Sequence, residues 1–271
     1  MKPFRVGCVP YLNARPLVDY LEHPALEHKV KVIYETPARL AAGLRLGELD
    51  VAMVSSYEAF VRPDLEFAPD ASISTRGRVT SVRMFSKVPF EDIETLALDQ
   101  GSLTSNHLVQ VLLSEQYGCW PILSSEPPNQ AEMLRNNDAC LLIGDPGMSA
   151  PSTGLNVMDL GEAWNELTGL PFVWAGWIGA REIDPELCHL LAEAKEWGLK
   201  ILESLAAKHA QKMGFEVATC ISYLTAIMNY DLTQEHVEGL ELFQALCIKH
   251  GLLENQYPIR VAASPSPQPA W

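Results

Sequence analysis

The stretch Arg5-Val-Gly-Cys-Val-Pro-Tyr-Leu-Asn-Ala-Arg-Pro-Leu17 constrains the chain most. A short apolar run, Val6 to Val9, reads as a strand that breaks at Pro10. Tyr11, Asn13 and Arg15 follow, and Pro16 then suits the first turn of a helix. A strand ending in a polar turn that feeds a helix is the unit from which open α/β sheets build ligand crevices. The unit repeats. Residues 29–34 alternate as a strand, and Thr36-Pro37 opens a helix with Leu40 and Leu44 inward, closed by Gly47. Residues 50–54 form a third strand, ending in Ser55-Ser56. Parallel strands with right-handed crossovers are the expected arrangement.

Residues 65–86 differ. Ser72, Ser74, Thr75, Arg76, Gly77 and Arg78 form a polar segment ahead of a strand at 81–85. A second α/β series follows: a strand at 96–98, a polar loop at 100–105, a helix at 106–117 stopped by Gly118, and a helix at 130–136. A buried strand at 139–143 leads to the turn Gly144-Asp-Pro-Gly147. Residues 172–178 read as a strand returning through the middle. From Asp184 the chain reads as helical. One long helix carries Leu187, Leu191, Ala194, Ile201, Leu205 and His209 on one face, and a last helix spans 233–251. The proline-rich tail from Ser264 reads as disordered. The fold class is therefore α/β, with a helical C-terminal region. Its two halves suggest a two-lobed clamshell, one lobe from residues 1–78 and 186–271 and the other from 79–185.

Charge narrows the partners. With 20 basic against 34 acidic residues the net charge is −14, which disfavours nucleic acid and anionic membrane. An anionic substrate is repelled at long range, so its site must be locally positive, from helix N-termini, backbone N–H groups or a few arginines. No run of about 18 apolar residues indicates a membrane helix. The start has no apolar segment of the secretory kind, which also removes Cys8 as a lipoprotein anchor, so a cytoplasmic location is expected. Six cysteines without a CxxC pair and seven histidines without HxxxH spacing point to a reducing compartment and no structural metal.

Each polar tip has a structural reading beside a functional one. Asn13 prepares a turn or holds a ligand. Ser55 and Ser56 end a strand, and Ser81 starts one. Thr104 and Ser105 open a helix, where capping is expected and the same exposed N–H groups suit an anion. Asp145 before Pro146 is a common turn initiator. His107 reads as a surface residue, and Arg15 and Arg39 as solvated. No nucleophile triad, phosphate loop or dinucleotide fingerprint is present. The residues alone describe a clamshell for a small carboxylated molecule, which fits a transport binding protein and an enzyme equally.

Six motifs in order add a resemblance: Gly7-x-Val-x-Tyr-Leu-Asn-x-x-Pro-Leu17, Asp50-Val-Ala-Met-Val-Ser-Ser56, Ser81-Val-x-x-Phe-Ser86, Ser102-x-Thr-Ser105, Ile143-Gly-Asp-Pro146, and Asp159-Leu-Gly-x-x-Trp164 with Thr168-Gly-Leu-Pro-Phe172. Together they resemble the chorismate dehydratase family of the futalosine route to menaquinone. The resemblance implies a type 2 periplasmic-binding-protein fold used as a carbon–oxygen lyase. The implied reaction converts chorismate to 3-[(1-carboxyvinyl)oxy]benzoate and water, with no metal or cofactor.

It further implies catalytic roles for Asn13 and Ser81, and substrate binding by Tyr11, Ser56, Thr104, Ser105 and Asp145. An amide does not titrate near neutral pH, so Asn13 acts as a hydrogen-bonding group and not as a base. The expected proton acceptor is the substrate's own enolpyruvyl carboxylate, with Asp145 as runner-up. Residues 74–81 and 174–180 are the expected hinges. Two departures stand out: Ser55-Ser56 where relatives commonly have Pro-Ser, and Gly147-Met148 where Ala-Leu is usual. The second is expected to matter little. The rivals are the enzyme of the same pathway and fold that forms 1,4-dihydroxy-6-naphthoate, and a solute-binding protein for a small aromatic carboxylate. The Tyr-Leu-Asn and Thr-Gly-Leu-Pro motifs favour the dehydratase, as a monomer or homodimer.

Overall fold

The computed structural model describes residues 2–264, and the proline-rich tail beyond Ser264 lies outside the described residues. In chain order the strands are β1 (Phe4–Cys8), β2 (Val30–Tyr34), β3 (Val51–Ser55), β4 (Leu65–Thr75), β5 (Arg83–Ser86), β6 (Thr95–Asp99), β7 (Ile122–Glu126), β8 (Ala139–Leu142), β9 (Asn156–Asp159) and β10 (Phe172–Ala180). The helices are α1 (Arg15–Val18), α2 (Pro37–Arg45), α3 (Glu58–Val61), α4 (Thr104–Tyr117), α5 (Gln130–Asn136), α6 (Gly144–Ser149), α7 (Leu160–Thr168), α8 (Pro185–Lys200), α9 (Leu202–Met213), α10 (Val217–Ser222) and α11 (Gln234–Lys249).

The chain divides into two compact units. One comprises residues 1–73, 175–233 and 257–271, and the other 74–174 and 234–256. The sheet of the first runs β2-β1-β3-β10-β4. β1 is parallel to β2 and to β3, whereas β10 is antiparallel to β3 with Ala175 opposite Ser55. The carboxyl ends of β1 and β3 therefore share one sheet edge, and β10 enters there. Val51 to Val54 are all buried, as expected of a strand covered on both faces. α8 lies against α1 at Gly198, where a Cβ would meet the Pro16 carbonyl oxygen at 1.8 Å. Only glycine lets the two backbones approach that closely.

The sheet of the second unit runs β7-β6-β8-β5-β9. β6 is parallel to β7 and β8, and β5 is antiparallel to β8 and β9. Phe85, Ala97, Met133, Cys140 and Leu142 form a buried core cluster on it. α11 joins this unit through aromatic packing. Phe243 lies 6.0 Å from Trp164 and 5.1 Å from Phe172, centroid to centroid, in edge-to-face contacts worth about 0.5–1.5 kcal/mol each beyond their burial. The expected division assigned everything after residue 185 to the first unit. Helical periodicity marks an apolar face but not the sheet that the face covers, so α11 was unassignable from sequence.

Several local expectations need correction. The polar segment at 72–78 is largely the end of the eleven-residue strand β4, with Ser72, Ser74 and Thr75 buried. The helix expected from 185 through 209 breaks at Ile201, whose φ is −129°, giving α8 and α9. The turn at 144–147 continues as the short helix α6. The strands β7 and β9 and the helices α3 and α7 have no counterpart in the sequence reading. Among the described residues no helix is long and apolar enough to cross a membrane, and no cluster of His, Cys, Asp and Glu could hold a metal ion.

Candidate active site

Tyr11, Asn13 and Ser56 belong to the first unit, and Ser81, Thr104, Ser105 and Asp145 to the second. Within each unit they gather at one sheet edge.

In the first unit, Tyr11 and Asn13 follow the carboxyl end of β1 in a single 3-10 turn, Leu12–Ala14. Ser56 follows β3, β1's parallel neighbour, and is fully buried. The Asn13 amide nitrogen donates to the Tyr223 hydroxyl at 3.4 Å, and its Oδ1 is buried with no hydrogen-bond partner. Arg15 is not the solvated residue expected. It donates to the Tyr34 hydroxyl at 2.9 Å and lies 3.6 Å from Asp19. Asp19 is buried, and it accepts from Lys208 at 2.7 Å and from the His209 ring at 2.9 Å. Burial pushes its carboxyl up, but His209 and Lys208 outweigh burial and hold it below its ordinary value. Burial pushes the Cys8 thiol up to about 12, so this cysteine stays protonated and inert.

In the second unit, β6 and β8 are parallel, so the loops after Asp99 and Leu142 leave the same edge. β5 is antiparallel to β8 with Arg83 opposite Leu142, which brings Ser81 to that edge too. The sheet thus brings Ser81, Thr104, Ser105 and Asp145 together. Ser81 is held by a tight turn in which its N–H donates to the Val79 carbonyl at 2.7 Å, across Thr80 at φ 59°. That left-handed conformation is strained for a β-branched residue. The Asp159 carboxylate secures it, accepting from the N–H groups of Val79 and Thr80 and, at the start of α7, from those of Gly161 and Glu162.

Thr104 does not cap α4. The N-cap position is Leu103, without a side-chain cap, and the buried Thr104 hydroxyl donates instead to the Trp174 carbonyl at 3.1 Å. A helix N-terminus of this length is a position where an anion is favoured. Ser105 is buried one residue further on. Asp145 is half-buried, and burial raises its carboxyl above its ordinary value. Asp99 is buried nearby, and burial likewise raises its carboxyl, opposed by N–H donors from Gly101 and Ile143. His107 is half-buried, its Nδ1 2.8 Å from the Leu103 carbonyl, and burial lowers its pKa.

Gly147 departs from expectation as well. A Cβ on it would stand 2.3 Å from the Ser81 carbonyl oxygen and 2.8 Å from that of Leu142, so its small size matters to how α6 seats on Ser81. Arg83 fixes the far end of α6 by donating to the carbonyls of Gly147, Met148 and Ala150. Sequence reasoning missed Asp159 and Tyr223 as supports of the site, since neither touches its partner in the linear chain. A groove of about 870 Å³ opens at the other edge of the first sheet, among Phe4, Lys31, Asp50, Arg181 and Ile183. None of the candidate site residues lines it.

The fold is that of the periplasmic binding proteins. The chain superposes on the periplasmic aliphatic sulphonate binding protein of Escherichia coli with a TM-score of 0.71 at 18% identity, covering 100% of this chain and 95% of that one. It also superposes on a protein of Archaeoglobus fulgidus with a TM-score of 0.75 at 16% identity, covering 93% and 99%. Sequence is more specific than fold here. Residues 4–249 match the model of a family described as menaquinone biosynthesis. A chorismate dehydratase of Thermus thermophilus is 32% identical over 90% of this chain and 94% of its own. The chain belongs to this menaquinone biosynthesis family.

Proposed function

We propose that this chain is a chorismate dehydratase, converting chorismate to 3-[(1-carboxyvinyl)oxy]benzoate and water, and that it acts in the cytoplasm as a hydro-lyase. The family carries this reading: residues 4–249 match its model, and a chorismate dehydratase is 32% identical over 90% of this chain.

Loss of the C3 hydrogen and the C4 hydroxyl makes the ring aromatic, so the driving force is large. The protein has to orient the ring, stabilise charge as C3 ionises, and favour departure of hydroxide. In this reading the start of α4, with Thr104 and Ser105, holds a substrate carboxylate. The Asn13 amide hydrogen-bonds the ring carboxylate onto which C3 carbanion charge spreads, and Ser81 bonds the departing hydroxyl. The C3 proton passes to the enolpyruvyl carboxylate of the same substrate, held in reactive geometry. It then joins the leaving hydroxide as water. Asp145 is the alternative acceptor, a reading favoured by its carboxyl being raised by burial.

Purified protein incubated with chorismate tests this. The diene absorbance of chorismate falls and a benzoate spectrum replaces it. Binding of chorismate with no spectral change would make the chain a binding protein instead.

A further inference from the structure

Of the buried polar atoms of the first unit that lack hydrogen-bond partners, two flank one side chain. They are Asn13 Oδ1 and the Tyr230 hydroxyl, and the neighbour of both is Tyr223. Its hydroxyl lies 3.4 Å from the Asn13 amide, and its charge, after burial, helps to push the Tyr230 phenol well above its ordinary value. Native folds leave few buried polar atoms unpaired, and those that remain call for an explanation. An unpaired amide end beside a substrate-binding edge is explained by a ligand group that completes it.

The backbone holds Tyr223 firmly. It is 4% exposed and begins a π-type turn, Tyr223–Ile227, in which its carbonyl accepts from the N–H of Met228 at 3.0 Å. Such widened turns re-aim side chains and recur at functional sites. The following segment is tied to β4, where Ser72 donates its N–H to the Tyr230 carbonyl and its hydroxyl to that of Asp231. The phenol is therefore delivered to Asn13 from 210 residues away in the chain by a fixed support.

We propose that Tyr223 is a positioning residue for the dehydration, setting which end of the Asn13 carboxamide faces the substrate. A carboxamide has two ends of nearly the same shape and opposite polarity. With Nδ2 toward Tyr223, Oδ1 is the unpaired end. Turned over, Oδ1 accepts the phenol proton and Nδ2 becomes the free donor, which is the end an anionic substrate needs. A phenol can donate or accept, so it can support either orientation of the amide. Phenylalanine cannot. The proposal rests on the reading of Asn13 as the group that stabilises the developing charge.

The test is a double-mutant cycle on the intact protein with chorismate, using Asn13→Ala, Tyr223→Phe and both together, with melting temperatures alongside. Tyr223→Phe is expected to lower kcat about tenfold, the loss of one hydrogen bond, with KM and melting temperature close to wild type. In the Asn13→Ala background the same change is expected to do nothing further. Full turnover in Tyr223→Phe, an equal loss in both backgrounds, or a loss that tracks a fall in melting temperature overturns the proposal. If Asn13→Ala alone leaves kcat unchanged, the reading of Asn13 fails first, and the role of Tyr223 falls with it.

Discussion

Gly147 sits so close to the carbonyl of Ser81 that a Cβ added there would come within 2.3 Å of the oxygen. The oxygen belongs to the backbone of a strained turn, so it has little room to yield. Gly147→Ala is expected to cost about 1–3 kcal/mol of stability in urea unfolding and to lower kcat by displacing Ser81. Wild-type values for both would show that α6 is not seated as described.

Asp159 gathers the N–H groups of Val79 and Thr80 with those of Gly161 and Glu162 onto one buried carboxylate. Removing it leaves those donors unsatisfied and releases Thr80 from its left-handed conformation. Asp159→Ala should destabilise the fold by about 2–4 kcal/mol. Asp159→Asn, which keeps one acceptor oxygen, should cost less. Denaturation midpoints rank the two.

The buried Asp19 with Lys208 and His209 makes a pH prediction. Its folded carboxyl is held below the ordinary value, so the stability it contributes is present above the unfolded carboxylate pKa. That stability is lost as pH falls through the lowered folded value. Asp19→Asn should therefore be less stable than wild type at neutral pH, by about 3 kcal/mol. The gap should close as the solution is acidified below the carboxylate range. A gap independent of pH would contradict the ion-pair account.

Asp145 separates the two candidate proton acceptors. If the substrate carboxylate takes the proton, Asp145→Asn keeps kcat within about threefold of wild type. If Asp145 is the base, kcat falls by about 10²–10⁴. The same variant has a stability signature. Burial raises the Asp145 carboxyl, so its contribution to stability is present at low pH and is lost as pH rises through the raised value. At neutral pH the asparagine variant should be at least as stable as wild type.

The strand-turn-helix units carrying Asn13 and Thr104, and the strand ahead of Ser56, were legible because apolar runs, prolines and glycines mark them locally. β7 and β9 were not legible. β7 is an edge strand with Ile122 exposed, so it lacks the continuous apolar run of β3. The polar end of β4 misled for the opposite reason, since Ser72, Ser74 and Thr75 are buried but hydrogen-bonded, and residue type alone reports them as loop. The supports of the site were beyond local reading altogether. Asp159 lies 80 residues from Val79, and Tyr223 lies 210 from Asn13. Such pairs have no sequence spacing to betray them.

The most direct test of the central claim is a proton NMR time course of chorismate with wild type and with Asn13→Ala. For wild type the account predicts four aromatic protons of a 1,3-disubstituted benzoate, with the two vinyl protons of the enolpyruvyl ether kept. For a folded Asn13→Ala it predicts a rate lower by about a hundredfold. Unchanged chorismate with wild type, or equal rates for the two proteins, would contradict it.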